Sequence, residues 1–249
     1  MSESLFGKTK QAEDDGSHWL SVSDLMAGLM MVFLFISIVL MRNALIERDK
    51  TKELADTYQV ERDKIKQIAA TYQDTKVKIY EALVDEFEDD LIEWDAEINE
   101  KDLSFNFKSP DVLFDVGKIE LKQQFKEILS DYYPRYMKVI NEFKKTIEEV
   151  RIEGHTSSRW NSGSSEDDAY FLNMDLSQGR TRSVLSYVYS LDSIVSDRAW
   201  IKKNVAAVGY SSSKLIYMNG KEDAERSRRV TFKLITNSEI QILKIIGDK

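Results

Sequence analysis

Residues 19–41 read WLSVSDLMAGLMMVFLFISIVLM, and no other feature restricts this chain as much. From Leu25 to Met41 there is no charged side chain. A run of that length crosses a hydrocarbon core as one helix, which satisfies its backbone N–H and C=O groups internally. Asp24 stands at its head. An ionised carboxylate there is costly without a partner, a water-lined path or a proton of its own. Ser21 and Ser23 leave a capping role at the headgroups open. Aspartate is too short to snorkel far, however, and Leu25, Met26 and Leu29 surround it on a buried helix. Apolar burial disfavours the charged form, so such a group can alternate between protonated and ionised states as water access changes. Asp24 is the candidate ion relay.

The run makes a poor cleavable signal: the segment before it is as acidic as it is basic, and no small-residue cleavage pattern follows. A retained span is expected. Lys8 and Lys10 precede it, whereas Arg42, Arg48, Lys50 and Lys52 follow, so a count of positive charge alone would put the carboxyl side in the cytoplasm.

The chain has 249 residues, leaving room for one sizeable soluble domain and a connector. With 43 acidic against 35 basic residues, the net charge of -8 argues against nucleic acid as a partner. There is no cysteine, and His18 and His155 alone give little material for zinc. Neither a metal nor any other cofactor is expected.

Beyond the span, apolar residues recur from Leu54 through Tyr58, Ile65, Ile68, Tyr72, Ile79, Leu83, Phe87, Leu91 and Trp94 to Ile98, mostly three, four or seven apart. This is a helical stripe, able to form a parallel seam or to pack against the domain that follows. From Leu103 the period changes. LSFNF alternates as a strand, a helix is expected from near Ile119, and Pro134 should break or kink it. VRIEGH reads as a strand, TSSRWNSGSSEDDAY as a surface loop, and DLSQGRTRSVLSYVYSLDS as a helix. VAAVGY and VTFKLI are strands flanking a short helix or turn at EDAERSRR. The fold class is α/β: a transmembrane helix, a helical linker, and one sandwich with helices over one sheet face. The expected division is a tail over 1–18, the span over 19–46, the linker over 47–100 and the domain over 101–249.

Two stretches carry a resemblance. Trp19, Asp24, Leu25, Met26, Leu29 and Met30, in that register, resemble the single span of the peptidoglycan-anchored stator subunits of ion-driven motors, MotB and PomB. LFDVGKIEL, the GHT of Gly154–Thr156, NMDLSQGRTRSV and AERSRRV resemble, in order, the motifs of an OmpA-like peptidoglycan-binding domain from about Leu103 to Ile235. Over its whole length the chain resembles the membrane subunits of Zorya anti-phage defence systems, stator-like proteins turned to defence. A short acidic tail and a long Ser-rich loop set it apart from a flagellar subunit.

The resemblance implies a proton-driven motor subunit with Asp24 as the relay. Sodium stays open, since partner hydroxyls could complete a site begun by Ser21, Ser23 or Ser37. It also implies a multi-span, ZorA-like partner in five copies around two copies of this chain. Wall binding is implied for Arg180 of Leu176-Ser177-Gln178-Gly179-Arg180, with Asn173, Leu176, Thr156, Ser157, Arg228 and Arg229. Arginine's planar fork suits a carboxylate of the wall peptide. One departure stands out: the family carries Asp after His-Thr, where this chain has Ser157. Either affinity is lower, or Glu166, Asp167 or Asp168 returns from the loop to replace it. His155 reads as structural.

A wall binder must lie in the periplasm, which puts the amino terminus in the cytoplasm and overrides the charge count. Two alternatives remain at this point: a flagellar-type stator subunit, and a static envelope anchor, which has no use for an acid in its span. An enzyme is not expected, as no nucleophile elbow or metal cluster accompanies His155, Asp175 and Ser177.

Overall fold

The computed structural model describes residues 15–108, 110–238 and 240, so most of the expected tail lies outside the described residues. The chain divides into two compact units, Met1–Lys64 and Ile65–Lys249. In the first, every described residue belongs to helix α1, Asp15–Phe87. Its apolar side chains from Leu25 to Met41 are exposed, and the helix is long and apolar enough to cross a membrane.

The second unit begins within α1, where Ile79, Leu83 and Phe87, four residues apart, are fully buried. The helix ends at Phe87 rather than carrying the apolar stripe on to Ile98. Tertiary packing overrides the period: Trp94 folds back, its ring 6.1 Å from that of Phe87 and edge-on to Tyr132 at 6.2 Å. Asp95 adopts φ 45°, and strand β1, Ala96–Asn99, follows. The packed unit therefore reaches upstream of residue 101.

The remaining elements are β2 (Ser104–Phe107), α2 (Pro110–Leu113), α3 (Gln123–Phe143), β3 (Ile147–His155), α4 (Glu166–Ser190), a 3-10 turn (Asp192–Asp197), α5 (Arg198–Asn204), β4 (Val205–Gly209), β5 (Tyr217–Met218), β6 (Lys221–Glu222), α6 (Ala224–Ser227) and β7 (Arg229–Thr236). Five strands form one sheet in the order β1-β2-β7-β3-β4, antiparallel except for β3 with β4. β5 and β6 form a separate hairpin.

Register sorts the sheet into two faces. Ile98, Phe105, Phe232 and Ile152 stand in one row, and Glu97, Asn106, Thr231 and Glu153 in the row on the opposite face. The apolar face takes α3. Tyr132 lies 4.6 Å from Phe105 and 5.1 Å from Phe232 between ring centroids. On α3, Phe125, Leu129, Tyr132, Tyr136 and Ile140 recur at helical spacing and are buried. Helix α4 packs against β3 and β4. There a Cβ on Gly209 would stand 2.5 Å from the Gln178 backbone nitrogen, so only glycine lets helix and strand approach this closely.

Three local expectations change. Pro134 lies inside α3 without interrupting it, because the buried tyrosines on either side hold the helix to the sheet. That helix starts at Gln123, not near Ile119, because a bridge between Phe114 and Leu121 closes a loop first. Residues 166–170 belong to α4 rather than to the loop. Ser165 Oγ accepts from the Asp168 N–H at 3.1 Å and donates to its carboxylate at 2.7 Å, a reciprocal cap that starts the helix.

Candidate functional site

The sheet end where β3 and β4 terminate, the start of α4 and the turn after α2 enclose a cavity of about 320 Å³. Three stretches far apart in sequence build its wall. The first is the turn Phe114–Lys118, in which Gly117 takes φ 69° and the Lys118 N–H donates to Asp115 O at 3.0 Å. The second is the segment after β3, which contributes Thr156, Ser157, Arg159 and Trp160. The third is α4, whose Asn173, Leu176 and Arg180 fall at i, i+3 and i+7 on one face. Arg228, just before β7, completes the wall.

Arg180 is fixed from several sides. Its Nε donates to Lys118 O at 2.9 Å and its Nη2 to Asp115 O at 3.1 Å, and the guanidinium lies 4.6 Å from the Phe114 ring centroid. Burial, and then the charge of Arg228, bring it down to about 10. It remains a cation at neutral pH, and one that gains from an anionic partner. Asn173 is buried and donates to Ser157 O at 3.1 Å and to Arg159 O at 3.4 Å, holding the loop in place. Thr156 is 3% exposed, and its Oγ1 has no hydrogen-bond partner. Ser177, inside the same motif, faces elsewhere: its Oγ donates to Met174 O and accepts from the Ser211 N–H.

Of the residues singled out in the sequence, Thr156, Ser157, Asn173, Leu176, Arg180 and Arg228 thus meet around one cavity. Arg229 does not line it. Its guanidinium donates to Lys214 O at 3.3 Å and Ser227 O at 3.1 Å and braces the turn before β7. Glu166, Asp167 and Asp168 form the first turn of α4 and are absent from the cavity wall. Arg159 and Trp160 line it without having been singled out; an Arg-Trp pair in an otherwise Ser-rich loop was the available signal. His155 is buried against Tyr210, the two rings stacked at 5.4 Å. Among the described residues no cluster of His, Asp or Glu could hold a metal ion.

In the other unit, Asp24 is exposed on α1. Ala27, Gly28 and Met31 follow it at i+3, i+4 and i+7 on the same helical face, and a Cβ on Gly28 would meet nothing within 4 Å. Ser37 Oγ donates to Phe33 O at 2.7 Å and lies thirteen residues on, about 20 Å along the axis from Asp24.

An α/β unit with these motifs, preceded by a helix apolar enough to span a membrane, defines the class of chain that carries an OmpA-like domain behind an apolar helix, and the OmpA family matches residues 113–229. These features fit a single-pass inner-membrane protein. Over 248 residues the chain is 50% identical to Zorya protein ZorB of Escherichia coli (strain Crooks), covering 99% of this chain and 100% of that one. The chain belongs to the ZorB family of Zorya proteins. Among solved structures it is similar to a MotB-like protein from Desulfovibrio vulgaris (18% identity, 66% of this chain and 96% of that one, TM-score 0.47). It is also similar to the cell wall anchor of the T6SS from Pseudomonas aeruginosa (18%, 62% and 97%, TM-score 0.44).

Proposed function

We propose that this chain is the wall-anchored, stator-type subunit of a proton-driven inner-membrane motor acting in anti-phage defence. The observation that carries the reading is Asp24: an acid at the head of an otherwise uncharged helical surface, in a chain of the ZorB family. A static anchor has no use for such an acid, whereas a relay needs one. In this reading, residues 1–18 are cytoplasmic, 19–46 span the membrane, the helix beyond residue 46 is the link, and the packed domain, whose core takes in Ile79, Leu83 and Phe87, lies in the periplasm.

Asp24 alternates between protonated and ionised forms as water reaches it. One helix with one carboxylate cannot form a channel wall, so a multi-span, ZorA-like partner supplies it, with five copies around two of this chain. The small-residue face at Ala27 and Gly28 permits close helix approach beside the acid. Protons are favoured over sodium, which needs several oxygen ligands; Ser37 is engaged with its own helix and too far along it to contribute.

The cavity anchors the assembly to peptidoglycan. Arg180 and Arg228 take a carboxylate of the wall peptide, Asn173 holds the loop, and Leu176 and Phe114 supply the apolar wall. The test is co-purification with the multi-span protein encoded beside this one, followed by counting chains. Two copies of this chain within a larger partner ring is the expected result. One copy, or a ring of this chain alone, would break the stator reading.

A further inference from the structure

The charged side chains lining the cavity are all of one sign. Arg159, Arg180 and Arg228 contribute guanidinium groups, and no carboxylate lines the wall. Three acids on the flanking segments are engaged outside it: Asp115 pairs with Lys122 at 3.3 Å, Glu222 accepts from the Ser158 N–H at 2.9 Å and from its hydroxyl, and Asp168 caps α4, while Glu166, Asp167 and Asp175 on α4 do not line the cavity. The neutral polar groups in the wall include the Thr156 hydroxyl, buried and unpartnered, and the Ser157 side chain. Such a lining welcomes carboxylates and neutral hydrogen-bonding groups. An ammonium placed in it would sit among like charges with no counter-ion.

Wall peptides present their diamino acid in two chemical forms. As a free end it carries a carboxylate beside an ammonium; in a cross-link the same nitrogen is acylated and becomes a neutral amide. We propose that the cavity selects the second form, a carboxylate next to an acylated amine, so that the chain anchors at cross-linked positions of the wall. The amide offers an N–H and a carbonyl to the neutral groups of the wall, while Arg180 and Arg228 keep the carboxylate. The inference rests on the peptidoglycan reading above and narrows it to one chemical form.

The test uses the full chain in detergent and two synthetic stem peptides of identical sequence, one with the free side amine and one N-acetylated. At neutral pH and low salt the acetylated peptide binds about tenfold more tightly. The gap narrows as salt is added, because the penalty on the free amine is electrostatic. In Ser157→Asp, shown folded by circular dichroism, the preference shrinks or reverses, since a carboxylate now faces the amine. Equal or tighter binding of the free-amine peptide by the unaltered chain overturns the proposal. If neither peptide binds while intact sacculi retain the chain, the selectivity falls but wall binding stands. If sacculi also fail to retain it, the peptidoglycan reading falls and this inference with it.

Discussion

Arg180 lies over the ring of Phe114, its guanidinium carbon 4.6 Å from the centroid, while two of its nitrogens hold the carbonyls of Lys118 and Asp115. The arginine thereby spans the cavity from α4 to the turn after α2. One side chain both locks the two walls together and presents the positive charge.

Arg180→Ala is expected to keep the fold and lose most wall binding, by about thirtyfold or more, since truncating a desolvated charge contact costs about 2 kcal/mol or above. Arg180→Lys should restore little, because an ammonium can neither fork to two carbonyls nor stack flat on Phe114. Sacculus pull-down of both variants, with circular dichroism as the folding control, checks this. Retention equal to that of the parent chain would remove Arg180 from the site.

Gly117 holds the turn that places the Asp115 and Lys118 carbonyls, at φ 69°. Gly117→Ala introduces a Cβ into a left-handed conformation at a cost of about 1 kcal/mol. The melting temperature should fall by a few degrees, and wall binding should weaken as Arg180 loses its carbonyl partners. Gly117→Asn should be milder on both measures, because asparagine tolerates this region. An alanine variant with unchanged melting and binding would show that the turn has another way to form.

Much of this was legible in the sequence. The apolar run needs no tertiary information, and the alternation of LSFNF and VTFKLI placed β2 and β7. Leu176 and Arg180 share a face of the helix expected from Asp175, and Asn173 joins them because α4 starts earlier, at Glu166. What failed was context. Trp94 and Ile98 fit the period of the helix before them, and only packing against Phe87 and Tyr132 turns them into a reversal and a strand. The β5-β6 hairpin carries a strong local signal of its own in Asn219-Gly220, both at positive φ, between strands too short to show an alternation. Which arginine faces the cavity, Arg228 or Arg229, depends on strand register, and no pattern in AERSRRV decides it.

His155 makes stability depend on pH. Burial pushes its imidazole below the ordinary value; the Glu153 carboxylate, 3.4 Å away yet outside hydrogen-bond geometry, opposes this, while Arg229 and Lys214 reinforce it. The unfolded chain takes up a proton near pH 6.5 and the folded one only below that, so between the two values the unfolded state binds more protons. Stability is therefore full above about pH 6.5 and declines as pH falls through it towards the folded value. Glu86, lowered chiefly by its hydrogen bond to Arg135, acts only below the ordinary carboxylate value of 4.5 and stays out of this window. Melting curves between pH 7.5 and 5.5 should show the decline, and His155→Phe, which can keep a ring against Tyr210, should flatten it. An equal slope in both proteins would clear His155 of the effect.

Arg135 joins the end of α1 to α3. It bonds Glu86 at 2.8 Å, Asp90 at 2.8 Å and Asp131 at 2.9 Å, and lies 4.8 Å from the Phe87 ring centroid. Its side chain is 29% exposed, so solvent screening limits what the network contributes. Arg135→Met keeps the aliphatic cover on Phe87 but leaves Asp90 half-buried without this cation and Glu86 with only the more exposed Lys138, at 3.7 Å. About 2 kcal/mol should be lost, lowering the melting temperature by roughly 4–8 °C. Wall binding below that temperature should be unaffected, since none of these residues lines the cavity. A variant as stable as the parent would make the network a surface ornament.

Asp24→Asn separates the relay from everything else the helix does. Asparagine matches aspartate in size and keeps hydrogen-bonding groups, but it neither takes up nor releases a proton near neutral pH. Because it is uncharged, it enters a membrane at lower cost than an ionised aspartate, so insertion should not suffer. The small-residue face at Ala27 and Gly28 is untouched, and the complex with the multi-span partner should be recovered from detergent in parental amounts. Protection of cells against phage should nevertheless be lost altogether, since a relay that cannot change its protonation state passes no ion. Asp24→Glu keeps the titratable group one methylene further out and should recover part of the protection. Its recovery would show that the carboxyl chemistry matters rather than the exact side-chain volume. An assembled Asp24→Asn complex that protects cells normally would sink the assignment and leave the chain as a static anchor.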